Sequence, residues 1–276
     1  MEQIPPPTSA SDELKTPFIN LFLIALTALI LFSFAVAPVS AEDVNQIYVD
    51  IDSANALAKA LNESAVDTAS QGENAYVGDD DKTVIMKNSV NLTKILKFIN
   101  SDEIKLITEE GTTVHINCSA STPTLISLDK MILIDNGKLN LTSNETNAGH
   151  LIFDGYNTYL QSTRIIAIGQ NGCLNMSDGV TLKNCTYDCV SNKGTFNMFG
   201  GNITGNGDLN DIYVMGYGIY NYYSGTINMY GGNITGNDEG VNNHGTFNMS
   251  AETSQITVIQ VFIFMRVRSI CPVEIS

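Results

Sequence analysis

The chain has 276 residues, 14 basic against 29 acidic side chains for a formal net charge of −15, and 43% hydrophobic residues. That apolar fraction excludes wholesale disorder and suffices for one large domain or two small ones. A chain this acidic repels nucleic-acid phosphates and anionic lipid headgroups, which sets nucleic-acid binding aside.

Residues 18–37, FINLFLIALTALILFSFAVA, form an uncharged apolar run, followed by Pro38 and the small-residue pattern Val39-Ser40-Ala41. This reads as an export signal cut after Ala41, with an uncleaved anchor as the alternative, because the run is nearly long enough to span a bilayer. A membrane contact is expected only through this segment, and only if it stays attached. Residues 1–41 are thus assigned to signal or anchor, and the remainder is expected outside the cell or on its surface. Asn-x-Ser/Thr sequons agree with export. Asn62, Asn91, Asn117, Asn140 and Asn144 are the glycosylation candidates, and Asn175, Asn184, Asn202, Asn233 and Asn248 recur with the repeat described below.

Residues 42–82 are read as an acidic capping segment. A short helix is predicted at 53–61, SANALAKAL, with Asp52 or Ser53 as its N-cap. It is expected to cover the open apolar end of the strands that follow. The run Asp79-Asp80-Asp81 reads as a solvated turn in preference to a calcium site. From residue 83 to about 160, short apolar runs such as TVIMKNSVNLTKIL, EIKLITEEGTTVHINC and GHLIFDG are broken by Gly, Asn and Asp, and are taken as irregular strands.

The strongest signal is an internal repeat. Residues 194–206 read GTFNMFGGNITGN, residues 225–237 read GTINMYGGNITGN, and residues 245–249 begin a third copy with GTFNM. Looser copies open at Gly172 and Gly137. A strip of the form V/I-x-N precedes each clear copy at Val190-Ser191-Asn192, Ile219-Tyr220-Asn221 and Val241-Asn242-Asn243. Within T-F-N-M, Phe196 and Met198 alternate with Thr195 and Asn197, as on a strand with one dry face. Three strands this short bury an apolar face only by stacking unit on unit. Gly200-Gly201 and Gly231-Gly232 stand where the chain turns, and Asn at equivalent places is expected to stack into ladders. The expected fold class is all-β: a right-handed, single-stranded parallel β-helix over 83–249, with an N-terminal signal or transmembrane helix and a short capping helix before it. Residues 250–276 are an atypical tail, read as a cap or a truncated end. The repeat predicts that Phe196, Ile227 and Phe247 line up in one interior column.

The strip G-T-F/I-N-M-x-G-G-N-I-T-G-N, preceded by G-I/V-x-N, resembles the repeat of adhesin-like surface proteins, and polymorphic outer-membrane proteins have similar repeats. That resemblance implies the parallel β-helix also found in pectate lyases, and adhesion to cells, wall polymers or cell-surface glycans. The runner-up is a polysaccharide lyase or glycoside hydrolase on the same scaffold. The acids of the repeat region, Asp154, Asp178, Asp188, Asp208, Asp211, Asp238 and Glu239, are scattered beside Gly or Asn as turn residues are, and no catalytic residue, metal ligand or cofactor is assigned. The expected ligand-binding residues are Tyr213, Tyr217, Tyr220, Tyr222 and Tyr223, in or beside the insertion at 207–223, whose rings offer flat faces to sugars. Among Cys118, Cys173, Cys185, Cys189 and Cys271, small buried hydrophobes are the favoured role, with a bridge from Cys185 or Cys189 to Cys173 as an alternative.

Overall fold

The structure, a computed structural model, describes residues 48–64, 73–118, 130–143, 149–155, 164–206, 216–250 and the backbone of 255–256. The export segment, Tyr213, Asn144, Asp208, Asp211, Cys271 and most of the tail lie outside the described residues.

The described chain is all-β with one helix, and its strands form long parallel sheets of 13 and 7 strands. In chain order, the chain lays one strand in each of three stacks and then starts again beside the previous set. The first circuit is β1 (Tyr48–Ile51), β3 (Thr83–Met86) and β4 (Val90–Leu92); it carries the insertion of helix α1 (Ala54–Glu63) and β2 (Ala75–Val77). The second is β5 (Ile95–Phe98), β6 (Ser101–Thr108) and β7 (Thr113–Cys118). In the third and fourth, one long strand serves two stacks: β8 (Lys130–Leu141) with β9 (His150–Asp154), then β10 (Arg164–Met176) with β11 (Val180–Lys183). The regular repeat supplies the rest: β12 (Asp188–Asn192), β13 (Thr195–Met198) and β14 (Asn202–Thr204); β15 (Tyr217–Asn221), β16 (Thr226–Met229) and β17 (Asn233–Thr235); β18 (Glu239–Asn243), β19 (Thr246–Met249) and β20 (Gln255–Ile256). Because β8 and β10 bend across two stacks, those two stacks count as one 13-stranded sheet. This is the strand arrangement that a β-solenoid requires.

Register shows why the repeat folds this way. Ile104, Leu139, Leu174, Phe196, Ile227 and Phe247 are successive partners in one column, as the repeat predicts for its last three members. A second column runs Leu141, Met176, Met198, Met229 and Met249, and a third Ile116, Phe153, Leu182, Ile203 and Ile234. Most of these side chains are fully buried, each worth about 1.5–3 kcal/mol of transfer free energy. The alternating polar positions face outward and carry a ladder. Asn248 donates to Asn228, Asn228 to Asn197, Asn197 to Asn175 and Asn175 to Asn140, each at 2.8 Å. The sequence separations of these rungs, 20, 31, 22 and 35, match those of the opening glycines, so circuits of unequal length still close onto one register. Asn140 ends the ladder on Glu103, which Lys138 also holds at 2.9 Å. Gly201 (φ 85) and Gly232 (φ 87) take the left-handed turn between the second and third stacks, where a side chain is strained.

The helix begins where expected. Ser53 is its N-cap and accepts from the Ala56 N–H, while Leu57, Ala58 and Leu61 are buried on the side that packs against β1, β2 and β3. Circuits begin earlier than residue 83, since β1 already pairs with β5 from Tyr48 onward. The acidic run is a hydrogen-bonded turn: Asp80 accepts from the Lys82 and Thr83 N–H groups and the Thr83 hydroxyl, and these bonds hold its carboxyl below the usual range.

Candidate functional site

The first stack turns one face outward. Its central outward column runs Lys97, Leu133, Ala167, Ser191, Tyr220 and Asn242, and an outer column runs Lys130, Arg164, Asp188, Tyr217 and Glu239, the Arg164–Asp188 step resting on their ion pair. Ala167 and Ser191 are the small members of the central column, and an open cleft of about 530 Å³ lies over them. Lys130, Arg164 and Lys193 line it together with Tyr222 and Asp135. Three of the 14 basic residues of a chain with net charge −15 therefore meet at one depression.

Arg164 and Lys193 are each positioned by neighbours. Arg164 donates through Nε to Asp188 at 2.8 Å and lies over the Tyr187 ring at 4.9 Å. Asp188 is 1% exposed and Arg164 partly exposed, so the buried carboxylate depends on this cation. Lys193 sits over the Tyr222 ring at 4.8 Å, and Asp135, which also lines the cleft, pairs with Lys97 at 3.7 Å.

Four of the five tyrosines expected at the site cluster with His244, and of these Tyr222 lines the cleft. Tyr220 meets Tyr217 at 5.5 Å, Tyr222 at 4.6 Å and His244 at 5.3 Å, and Tyr223, 83% exposed, meets His244 at 5.3 Å. Burial raises the pKa of Tyr217 and Tyr220 and so keeps both phenols neutral donors; the neighbouring Glu239 adds to this for Tyr217 and Tyr222 for Tyr220. Burial likewise raises the Glu239 carboxyl, opposed by a hydrogen bond from Asn242. Tyr213 lies outside the described residues. The sequence did not show that the three cations meet, because they sit on three circuits of unequal length. The one available signal was that Lys193, Ser224 and His244 share a place just before an opening glycine.

A second aromatic feature lies at the glycine corner of the repeat. Phe199 and Tyr230, about half exposed, stack at 5.1 Å and 10° beside a cleft of about 410 Å³ that Asn202 and Asn233 also line.

Three of the described acids of the repeat region make local contacts. Asp154 holds Lys183 at 3.2 Å and accepts from Asn184, Asp178 accepts from the Gly201 N–H, and Asp238 from the Gly216 N–H. Among the described residues, no group of three His, Cys, Asp or Glu side chains is placed to hold a metal ion. The sequon asparagines are engaged as well. Asn62 accepts from the Asn74 and Ala75 N–H groups and donates to the Ala75 carbonyl, Asn117 donates to Asn91 at 3.0 Å, and Asn140 belongs to the outward ladder. In Asn62, Asn117 and Asn140 the donor is Nδ2, the atom to which a glycan attaches. Among the described residues, no helix is long and apolar enough to cross a membrane.

No family model, curated protein or solved structure matches the chain.

Proposed function

We propose that the chain is an exported, adhesin-like surface protein, a right-handed parallel β-helix whose first face holds acidic glycans of cells or wall polymers. The observation that carries this reading is the cleft over Ala167 and Ser191, lined by Lys130, Arg164 and Lys193 against the one acid Asp135, with Lys193 over the Tyr222 ring. Aromatic faces receive the apolar face of a sugar ring, and ammonium and guanidinium groups receive its carboxylate or sulfate. The stacked Phe199 and Tyr230 offer a second, aromatic platform, so that attachment draws on several weak contacts. Export rests on the apolar segment at 18–37 and the Val39-Ser40-Ala41 pattern.

The test is calorimetric titration of the full chain with uronic-acid and matched neutral oligosaccharides at low and high salt. The acidic series binds more tightly and weakens as salt rises. Joint replacement Lys130→Ala and Lys193→Ala lowers affinity for the acidic series at least tenfold, since hydrogen bonds to charged groups contribute about 1.5–3 kcal/mol each. Arg164 is left intact because its removal strands the buried Asp188. Equal binding of acidic and neutral sugars, or no loss in the double variant, removes the cleft as the binding site.

A further inference from the structure

The inner corner between β11 and β12 departs from the repeat at two positions at once. β11 pairs with β14 so that Lys183 stands opposite Thr204, which places Cys185 in the column of Asn206, and the pairing of β14 with β17 carries that column on to Asn237. β12 pairs with β15 and β15 with β18 through Asp188, Tyr217 and Glu239, which places Cys189 in the column of Gly218 and Gly240.

The later circuits thus set Asn beside Gly where this one sets Cys beside Cys. The two columns touch: a Cβ built on Gly218 would come within 2.9 Å of Asn237 Nδ2, so the amide occupies the room that a side chain there would need. Replacing the Asn by Cys shortens one side chain, and replacing the Gly by Cys fills the space released. The two sulfurs meet at 2.7 Å, closer than unbonded sulfur atoms pack, and both residues are 0% exposed. The corner is otherwise held as in the later circuits. The Cys185 N–H donates to Asn206 Oδ1 at 2.9 Å, as the Asn206 N–H donates to Asn237 Oδ1 at 3.3 Å.

We propose that Cys185 and Cys189 form a disulfide that closes this corner at the junction between the irregular and the regular circuits. The two thiols give up two protons and two electrons to a small-molecule disulfide such as oxidised glutathione; one S–S bond forms in the protein and the reagent leaves as two thiols. A bridge to Cys173 is disfavoured by register. Cys173 lies in the outward column beside Thr195, with Sγ against Asn175 Oδ1, on the other side of the sheet from the buried pair. Cys118, also buried, is the rival partner. A buried bridge of this kind is shielded from exchange with solvent thiols.

The experiment maps the bridge in the full chain, folded with mixed reduced and oxidised glutathione and then unfolded in guanidinium containing N-ethylmaleimide. In the expected result the peptide carrying Cys185 and Cys189 is two hydrogens lighter and unlabelled, while Cys118 and Cys173 carry the label. Label on both Cys185 and Cys189, or a peptide joining Cys185 to Cys118, overturns the proposal. The oxidised protein also melts about 3–6 °C above the same protein refolded in reductant, and the double variant Cys185→Ala, Cys189→Ala melts alike in both. Equal midpoints for the wild type overturn it too. The peptide map needs no variant, so a misfolded double variant leaves the test intact.

Discussion

In the circuits up to β10, the inner column at the corner after the first stack holds Ile51, Phe98, Ile134 and Ile168; from β12 on, the same column holds Asn192, Asn221 and Asn243. Both sets are fully or almost fully buried, at 4% exposure or less. The apolar set is stabilised by transfer from water, and each member contributes whatever stands above or below it. The asparagines depend on one another. Asn192 donates to Asn221 at 2.8 Å and Asn221 to Asn243 at 2.7 Å, while each of these donors also reaches the backbone carbonyl of the next circuit's Thr226 or Thr246 at 3.1 Å. At the junction, Asn192 Oδ1 takes the N–H of its own circuit's Gly194, so the ladder begins without an Asn beneath it. A buried amide is acceptable only where every partner is present. The late circuits are therefore bound to near-identity at this position, and the early ones are free to differ in sequence and length.

Exchanging the two solutions tests that contrast. Phe98→Asn places a lone amide under Ile134, with no Asn beside it, and discards a buried aromatic ring. The expected loss is about 4–5 kcal/mol by guanidinium unfolding. Asn221→Ile brings the early solution into the late circuits. It leaves Asn243 Oδ1 and the Thr246 carbonyl without the Asn221 amide, while the Gly225 carbonyl keeps the Thr246 N–H and Asn192 keeps Thr226. The expected loss is about 2–3 kcal/mol, seen as faster hydrogen exchange in β15–β19 with β5–β8 unchanged. A loss from Asn221→Ile equal to that from Phe98→Asn, or exchange that rises in both regions together, would show that the two corners do not differ in kind.

The late circuits were legible in the sequence because identity of strips and identity of register are the same fact there. T-F-N-M, N-I-T and V/I-x-N fall on β13, β16 and β19, on β14 and β17, and within β12, β15 and β18. The helix was legible from its Ser cap and the spacing of Leu57 and Leu61. The early circuits were less so. Nothing local shows that β8 and β10 run unbroken across two stacks, because the corner at Asn136-Gly137 and its partner at Asn171-Gly172 keep extended pairing through a shift in register. The outward ladder was expected in kind, but not its end on Glu103, 37 residues from Asn140. Of the site, the tyrosines were singled out from the insertion at 207–223, and Tyr217, Tyr220, Tyr222 and Tyr223 lie near one another and His244. The cationic cleft was not legible, since aligning Lys130 with Arg164 and both with Lys193 requires knowing where each insertion leaves the circuit. The Cys185–Cys189 pair was hidden likewise, because Asn206 and Gly218, which define its columns, flank an insertion.

The smallest expected effect extends the comparison to two glutamates. Glu103, in the early region, is half exposed and receives hydrogen bonds from Lys138 and Asn140, which lower its pKa. Glu239, in the late region, is 7% exposed and its pKa is raised by burial, with the neighbouring charge of Asp238 adding to it. A raised carboxyl is protonated more readily in the folded chain than in the unfolded one. Stability therefore falls as pH climbs from the ordinary glutamate value near 4.5 through the folded value, and the cost is fully present above it. Glu239→Gln removes the charge and keeps an oxygen to accept from Asn242. The variant is expected to be more stable than the wild type at pH 7 by under about 1 kcal/mol, with the difference vanishing below pH ~4. Guanidinium midpoints measured from pH 3 to 8 read this directly. A variant less stable at pH 7, or a difference that grows toward acid pH, would mean that Glu239 acts as a paired, stabilising carboxylate of the Glu103 kind.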